Sequence, residues 1–442
     1  MNVAQSLTFG LALLAAGCAY DPSRSGVLTQ SHSSAAADDF TSLFDGQSLA
    51  GWTFVGRAAE GYHVRNGAIV AEKGVHGNLF TEKEYGDFVL RLEFLLAEPG
   101  ANNGVGIRAP LASDTSTSGI ELQVLEESGA EKKYGKLRPE QFHGSVYDCI
   151  AARRGALKPI GQWNTQEVVA QGRHIKVTVN HQVIVDADLN SVTDIQKLQK
   201  HPGLLRERGH IGFLGHDDHV EFRNIRIREL PAAPTRDNVP PAGFQALFDG
   251  HDLTGWKGQV ADLVKRTRMS APELAAAQTQ ADEIMRRDWR VENGTLTYRG
   301  KGYENLCTVG DHANYELFVD WLATPLADSG LYLRGTPQVQ IWDVNAKGNP
   351  KKEGSGGLYN NTKTPTGPLL LADHPAGQWN RFRILMLGEQ ATVFLNGEMV
   401  VRSLPLENYW DHSKPLASTG PIELQAHDSV VSFKNIYLRP LP

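Results

Sequence analysis

The sequence predicts an all-β protein made of two tandem sandwiches of the jelly-roll type, the second with a helical insertion. Segments 87–96, 174–185 and 220–229 alternate apolar and polar residues, and a period of two indicates strands with one buried face. Asn-Gly pairs at 66–67 and 396–397 are typical of tight hairpin turns, because Gly tolerates a positive φ. Since these short strands do not alternate with helices, we expect antiparallel strands in two packed sheets.

The two halves of the chain repeat one another. Seven blocks recur in the same order, and the block GQWN is identical in both halves. An ordered set of repeats indicates a duplicated structural unit. The paired blocks are 40–52 with 244–256, 102–108 with 328–334, 121–126 with 338–343, 144–148 with 356–360, 161–164 with 377–380, 177–181 with 393–397, and 210–227 with 421–438.

A proline-rich stretch separates the repeats. Residues 231–243 (PAAPTRDNVPPAG) contain prolines that disfavour regular structure, so we expect an exposed linker there. The first sandwich is therefore predicted to span 40–230 and the second 244–442.

The helical insertion is predicted at 261–287, where the apolar residues have helical spacing. Ser270 stands at the N-cap position and Pro272 in the first turn. Glu273 supplies the acid of a capping box. The second copy has gained this helix relative to the first.

The N-terminus is typical of an exported lipoprotein. Residues 7–17 are apolar but too few to span a membrane as a stable helix. Leu14-Ala15-Ala16-Gly17-Cys18 resembles a bacterial lipobox, in which the Cys thiol is acylated after cleavage. We expect a signal peptide at 1–18, a flexible tether at 19–39, and lipid anchoring through Cys18 to the outer membrane or the periplasmic face.

The composition argues against two classes of protein. The net charge of −6 leaves no basic surplus to neutralise phosphates, so nucleic acid is not an expected partner. The other cysteines, Cys149 and Cys307, lie in different halves of the chain, so a disulfide framework is not expected either.

The repeated blocks resemble the family of 3-keto-disaccharide hydrolase domains, which share a concanavalin A-like sandwich. The resemblance rests on the LFDGxxLxGW start, the NxGxxxR strand, the GxWN turn and the closing FxNI strand, and it spans 40–230 and 244–440. It implies cleavage of glycosides oxidised at sugar C3, or binding of related glycans.

A ketone at C3 acidifies the C2 proton, so that a side-chain base can remove it and the glycosidic oxygen at C1 can leave. Such chemistry needs a general base, a donor facing the developing enolate, and a proton donor for the leaving oxygen. It does not need the two carboxylates of ordinary glycosidases.

In the first copy, Glu121 and Gln123 stand two apart on a predicted strand and so share one face. We expect Glu121 or His216 to act as the base and Arg108 to stabilise the enolate, since its guanidinium is always charged. A cross-strand ion pair between Glu121 and Arg108 on a solvated face is the alternative. The residues predicted to bind substrate in this copy are Gln123, His143, Tyr147 and Asp148.

The second copy replaces Glu121 with Gln338, which cannot act as a base. The residues predicted to bind substrate in this copy are Arg334, Gln340, Asp343, Tyr359 and His427. One copy is then catalytic and the other binds glycan, or each acts on a different step; the sequence leaves this open.

The segment His216-Asp217-Asp218-His219 has two interpretations. It supplies ligands for a divalent cation that polarises the keto oxygen, or it is a turn between two strands. No metal or cofactor is assigned from sequence.

Two function classes remain. The leading prediction is an enzyme acting on 3-keto-glycosides, either a hydrolase or a lyase and hydratase. The alternative is a non-catalytic glycan-binding lipoprotein that serves partner enzymes. In both, an oligosaccharide or 3-keto-glycoside is the expected ligand, and the membrane is reached through the lipid anchor.

Overall fold

A computed structural model describes residues 39–56, 61–74, 76–336 and 338–442. The predicted signal peptide, Cys18 and the tether up to residue 38 lie outside the described residues. No helix among the described residues is long and apolar enough to cross a membrane.

Within the described residues, the first half forms one eight-stranded and one five-stranded sheet. The eight-stranded sheet has the order β11-β10-β9-β6-β13-β4-β3, with β1 on β13, and the five-stranded sheet has the order β2-β5-β12-β7-β8. The strands are β1 (Thr41–Ser42), β2 (Trp52–Val55), β3 (Tyr62–Arg65), β4 (Ala68–Ala71), β5 (His76–Tyr85), β6 (Phe88–Leu96), β7 (Asn102–Ala109), β8 (Ile120–Leu125), β9 (Trp163–Gln171), β10 (His174–Val179), β11 (Gln182–Asp188), β12 (Gly209–His216) and β13 (Val220–Glu229).

The second half repeats this order, again with eight and five strands among the described residues. Its sheets have the orders β16-β17-β26-β19-β22-β23-β24, with β14 on β26, and β15-β18-β25-β20-β21. The strands are β14 (Gln245–Ala246), β15 (Trp256–Gly258), β16 (Trp289–Glu292), β17 (Thr295–Arg299), β18 (Leu306–Thr308), β19 (Asn314–Ala323), β20 (Asp328–Tyr332), β21 (Gln338–Trp342), β22 (Asn380–Leu387), β23 (Gln390–Leu395), β24 (Glu398–Pro405), β25 (Glu423–Leu424) and β26 (Val430–Leu441).

The helices are short except in the predicted insertion. The α-helices are α1 (Thr115–Ser118), α2 (Glu127–Tyr134), α3 (Ile195–Lys200), α4 (Leu263–Arg266) and α5 (Ala271–Asp288), and 3-10 turns occur at Pro139–Gln141, Leu189–Ser191, Pro202–Leu205 and Leu333–Gly335. The insertion is confirmed as α4 and α5. Ser270 and Glu273 form the predicted capping box at the start of α5.

The duplication extends to individual contacts in the core. The buried indoles of Trp52 and Trp256 each donate a hydrogen bond of 2.7 Å, to the carbonyls of Leu43 and Leu247 respectively. Equivalent tryptophans therefore fasten the first segment of each sandwich to its sheet. This agrees with the two-sandwich fold predicted from the repeats.

Apolar and charged residues join the two sandwiches. The hydrophobic cluster of the first sandwich includes second-sandwich residues, namely Leu385, Leu387, Phe394, Met399 and Leu441. Beside them, buried Glu316 accepts a hydrogen bond of 2.7 Å from Arg383, which also donates to the carbonyl of Leu205 at 2.6 Å. Arg439 donates to Glu316 at 2.5 Å and to the carbonyl of Asn190 at 2.9 Å. The two arginines thus connect a buried carboxylate of one sandwich to the backbone of the other.

Candidate active site

The candidate active site lies on the face of the first five-stranded sheet that points away from the hydrophobic core. Val105 and Leu122, in the adjacent strands β7 and β8, belong to that core. Since side chains alternate along a strand, Glu121 and Gln123 project from the opposite face. The shared face predicted from their spacing is the arrangement found.

A glycine gives Glu121 the room to lie along the sheet. Glu121 pairs with Gly106 on β7, which in turn pairs with Gly212 on β12. The Glu121 side chain extends across Gly104, where an added Cβ would stand only 2.7 Å from Oε1 of Glu121. The carboxylate is therefore held against the sheet surface rather than projecting into solvent.

This direction brings Glu121 to His216 at the end of β12. Their nearest atoms, Glu121 Oε1 and His216 Nε2, are 3.9 Å apart, and the Glu121 side chain is 4% exposed whereas that of His216 is 45% exposed. Both residues line a cleft of about 260 Å³. The remaining lining residues are Gly56, Gly77, Asn78, Ser113, Thr115, Ser116, Leu214 and Gly215.

The pair has the geometry of an acid and base that share one substrate. At 3.9 Å the two groups do not hydrogen-bond directly, so each keeps capacity to exchange a proton with a bound molecule. Hydroxyl and amide groups of Ser113, Ser116 and Asn78 stand around the same cleft. A polar ligand there meets a buried carboxylate, an exposed imidazole and neutral donors.

Tyr147 and Gln123 lie beside Glu121 at the edge of the sheet. The Tyr147 amide donates to the carbonyl of Glu121 at 2.9 Å, and this antiparallel pairing places the two side chains on the same face. Gln141 links the two residues: it donates to the Tyr147 hydroxyl at 3.3 Å and accepts from Gln123 at its carbonyl at 3.3 Å. Their predicted roles in substrate binding stay predictions.

The structure corrects the role expected for Arg108. Its φ of 48° breaks the alternation of side chains at the end of β7, so the guanidinium does not follow Glu121. Instead, Arg108 is 1% exposed and donates to Asp87 at 2.9 Å and to the carbonyls of Gly86 and Gly172 at 3.0 and 2.7 Å. It neither stabilises an enolate in this cleft nor forms the alternative ion pair with Glu121.

Arg334 of the second copy has the same arrangement and needs the same correction. Its φ is 55°, and its buried guanidinium donates to the carbonyls of Ala313 and Ala417 at 2.8 and 3.2 Å. The repeated arginine ties neighbouring segments of each sandwich together and does not bind substrate.

His143 is also a structural residue, contrary to the prediction. Its ring stacks on Phe94 with 5.0 Å between centroids, and its Nδ1 accepts a hydrogen bond of 3.3 Å from the Leu125 amide. Burial lowers the pKa of His143 to about 3, so the imidazole is neutral at physiological pH. A buried, neutral ring packed on an aromatic cannot contact a sugar.

Asp148 is buried and held in an ion-pair network. It pairs with Lys200 at 2.6 Å, with His201 at 3.1 Å and with Arg138. Burial raises the pKa of this carboxyl, but the hydrogen bonds from these three residues outweigh it and lower the pKa to about 2. The predicted role of Asp148 in binding substrate is therefore wrong.

In the second copy, three predicted residues lie close together. Gln340 and Tyr359 line a cavity of about 200 Å³, and the Tyr359 side chain is 52% exposed beside the ring of Trp342. His427 stands 3.7 Å from Asp328, which accepts a hydrogen bond of 2.7 Å from Gln340. These residues form a polar surface on the smaller sheet of the second sandwich. Its cavity is lined by the equivalents of Gln123 and Tyr147, whereas the first cleft is lined by Glu121 and His216.

Asp343 does not join them. Its carboxylate accepts hydrogen bonds from the amides of Leu326 at 2.8 Å and Asn345 at 2.9 Å, and it lines a separate cavity of about 330 Å³. Those bonds lower the pKa of Asp343. The side chain caps a turn at this separate cavity, so Asp343 lies apart from the other three residues and its predicted role in binding substrate stays a prediction.

Of the two interpretations of residues 216–219, the turn fits the structure. Asp218 is buried and bonded to Lys133 and to the Tyr134 hydroxyl, while His219 pairs with Glu221 at 2.9 Å. These partners draw the side chains away from His216. No group of three or more His, Cys, Asp or Glu residues in the described ranges is arranged to hold a metal ion.

Asp328 is the residue that sequence reasoning missed. It opens the block 328–334, which aligns with 102–108, so it occupies the position of Asn102. A carboxylate that appears where the other copy has an amide was a visible signal in the repeat.

Two jelly-roll sandwiches, each with a carboxylate near an imidazole on its smaller sheet, define a tandem β-sandwich protein. The profile of the 3-keto-alpha-glucoside-1,2-lyase-like domain matches residues 39–228 and 243–439. The chain therefore belongs to this family, with two tandem copies of its domain, which confirms the resemblance drawn from the repeated blocks.

Relatives in sequence and structure each match less than half of the chain. A 3-keto-disaccharide hydrolase of Bacteroides thetaiotaomicron is 27% identical over 232 residues, covering 44% of this chain and 79% of the relative. A crystal structure from Parabacteroides distasonis, provisionally described as a glycosyl hydrolase, is 26% identical, with a TM-score of 0.38, and covers 43% of this chain and 99% of its own. A lectin from Bauhinia forficata is 14% identical, with a TM-score of 0.29, covering 41% and 93% of the two chains.

Proposed function

We propose that this protein cleaves 3-keto-glycosides in the cleft of the first sandwich, with Glu121 as the base. The observation that carries the proposal is the pair formed by buried Glu121 and exposed His216, 3.9 Å apart on the wall of that cleft. Membership of the family and the relative named as a 3-keto-disaccharide hydrolase support the substrate class.

The reaction proceeds by elimination and then addition of water. The Glu121 carboxylate takes the C2 proton, the electron pair of that C–H bond forms the C1–C2 double bond, and the C1–O bond breaks. Protonated His216 gives its proton to the leaving oxygen, which departs as the free alcohol. Water then adds at C1 and a proton returns to C2, so that the sum of both steps is hydrolysis to 3-keto-glucose.

The keto oxygen needs a donor while negative charge develops on it. Since Arg108 is committed to Asp87, the hydroxyls of Ser113 and Ser116 are the donors in the lining of the cleft. The side-chain amide of Asn78 already donates to the carbonyls of Ala112 and Ser113. The two hydroxyls supply partial rather than full positive charge. The C3 ketone acidifies the C2 proton, and these donors stabilise the enolate that forms.

The experiment compares release of alcohol from 3-keto-glucosides and from the same glucosides unoxidised. Wild type should act on the keto compounds alone, and Glu121→Gln should lower the rate of the first site about 100-fold, a typical loss for a general base. Asp186→Asn is the matched control, because Asp186 pairs with His174 at 2.7 Å on the eight-stranded sheet, outside the cleft. Folded wild type that releases nothing from any 3-keto-glucoside would refute the activity.

Glycan binding without catalysis is the competing outcome. It predicts saturable binding of the 3-keto-glucoside by wild type with no product, and equal binding by Glu121→Gln.

We further propose that the protein works as a lipid-anchored protein outside the cytoplasm. The lipobox-like segment Leu14–Cys18 supports this. Replacing Cys18 with Ser should move the protein from the membrane fraction of the producing cells to the soluble fraction. An unchanged distribution would argue against the anchor.

A further inference from the structure

The two copies have exchanged a carboxylate and an amide between two positions. The first copy carries Glu121 on β8 and Asn102 on β7, whereas the second carries Gln338 and Asp328 at the matching positions of β21 and β20. Each copy therefore keeps one acid at these two positions, on a different strand of the same sheet.

Each acid lies near the equivalent histidine of its own copy. In the second copy, Asp328 Oδ2 lies 3.7 Å from His427 Nδ1, and in the first copy the corresponding separation between Glu121 and His216 is 3.9 Å. His216 and His427 occupy equivalent positions in the repeat. Their exposed fractions are also alike, at 45% and 43%. The carboxylate–imidazole pair has thus persisted although its acid comes from another strand.

Gln338, which stands where the first copy has Glu121, is connected by hydrogen bonds to Asp328. The Gln338 side chain extends across Gly330, as Glu121 extends across Gly104, and a Cβ on Gly330 would stand 2.6 Å from its Nε2. Gln338 donates to Gln340 at 2.6 Å, and Gln340 donates to Asp328 Oδ1 at 2.7 Å. This chain of hydrogen bonds fixes the orientation of Asp328 and leaves Oδ2 on the side of His427.

Asp328 is partly exposed, with 23% of its side chain accessible, and lies next to a cavity without lining it. A Cβ on Gly348, which lines the 200 Å³ cavity, would stand 3.2 Å from Asp328 Oδ2. Gln340 lines the same cavity, as does half-exposed Tyr359, whose ring a sugar can stack on. Burial raises the pKa of Asp328 from its ordinary value, which makes the carboxylate a stronger base.

We propose that the second sandwich is a second active site for 3-keto-glycosides, in which Asp328 takes the C2 proton and His427 protonates the leaving oxygen. The inference rests on the proposed function, and the bonds made and broken are those given above. Because the base approaches from β20 rather than from β8, we expect the two sites to differ in their preference between α- and β-linked substrates.

The test measures p-nitrophenol release from α- and β-linked p-nitrophenyl 3-keto-glucosides. Glu121→Gln should retain a residual rate, with a changed ratio of α to β substrate. Adding Asp328→Asn or His427→Gln should remove most of this residual rate and leave about 1% of the wild-type rate. Glu292→Gln is the matched control in the same sandwich, because Glu292 is exposed and pairs with Arg299 on the eight-stranded sheet; adding it should leave the residual rate unchanged.

The failures of the two proposals are distinguishable. If wild type releases product but Glu121→Gln abolishes all release, or if its residual rate does not respond to Asp328→Asn and His427→Gln, the second site is refuted and the first stands. If wild type releases nothing, the proposed function falls and the second site falls with it. His427→Gln keeps the test valid if Asp328→Asn fails to fold. Its side chain is 43% exposed, so replacing it should disturb the fold little.

Discussion

Glu121 lies flat across Gly104, and a Cβ at that glycine would stand 2.7 Å from the Glu121 carboxylate oxygen. The neighbouring strand thus determines where the acid points. With any side chain at residue 104, the Glu121 carboxylate would have to leave its present position.

Gly104→Ala should therefore lower the rate of 3-keto-glucoside cleavage by the first site at least 10-fold, with a smaller effect on folding. The physical reason is displacement of a positioned base, for which small shifts are costly. The measurement is kcat and KM in an Asp328→Asn background, together with the thermal unfolding midpoint.

Gly310→Ala is the control, since a Cβ there would meet nothing within 4 Å and the backbone is not in the left-handed region. An unchanged kcat in Gly104→Ala would show that the position of Glu121 does not matter for the reaction.

Arg108→Met should lower the free energy of unfolding of the first sandwich rather than the rate of catalysis. The substitution leaves Asp87 and the carbonyls of Gly86 and Gly172 without their buried donor. Removing one partner of a buried ion pair costs about 3 to 5 kcal/mol. Denaturant unfolding measures this loss, and the rate per folded molecule should stay near that of wild type. A stable variant with a reduced rate would return Arg108 to a role in catalysis.

The sequence pattern predicts the architecture of both sandwiches and about half of the residues of the first site. Repeated blocks and period-two segments predict the paired sandwiches, and the Ser270–Glu273 box predicts where α5 begins. Alternation also places Glu121 on the face of the cleft. Pattern does not reveal that a positive φ turns Arg108 away, because alternation assumes regular strand geometry throughout. Nor does it reveal that His143 is buried, since a lone polar residue in a loop carries no signal of burial.

Glu423 should make the protein less stable as the pH rises. Its carboxyl is buried, and this burial raises the pKa from 4.5 to about 7, partly offset by Arg266 at 4.0 Å. Between these two pH values the unfolded chain has lost its proton whereas the folded chain retains it, so the free energy of unfolding falls with increasing pH. Glu423→Gln should remove this slope and stabilise the protein at pH 8 by about 3 kcal/mol.

Urea unfolding of wild type and Glu423→Gln at pH 4, 6 and 8 checks this. The two proteins should differ least at pH 4, where Glu423 is protonated in both states. Parallel curves over the whole range would mean that Glu423 titrates normally in the folded protein.

Glu316 should have the opposite pH dependence, at the junction of the two sandwiches. Burial raises the pKa of its carboxyl, but Arg383 and neighbouring guanidinium groups outweigh this and lower it to about 2. The stabilisation is therefore complete above the ordinary pKa of 4.5 and is lost as the pH falls towards 2. Glu316→Gln should cost about 3 kcal/mol or more at pH 7, because Arg383 and Arg439 would face each other without the charge that joins them.

Limited proteolysis measures how firmly the two sandwiches are held together at this junction. If Glu316 holds Arg383 and Arg439 in place against the carbonyls of Leu205 and Asn190, its loss should speed cleavage within the linker at 231–243. Glu292→Gln, an exposed carboxylate on the same sheet, should leave the cleavage rate unchanged. Equal cleavage of Glu316→Gln and wild type would assign the junction to its apolar residues, since Leu385, Leu387 and Phe394 would then hold the sandwiches together unaided.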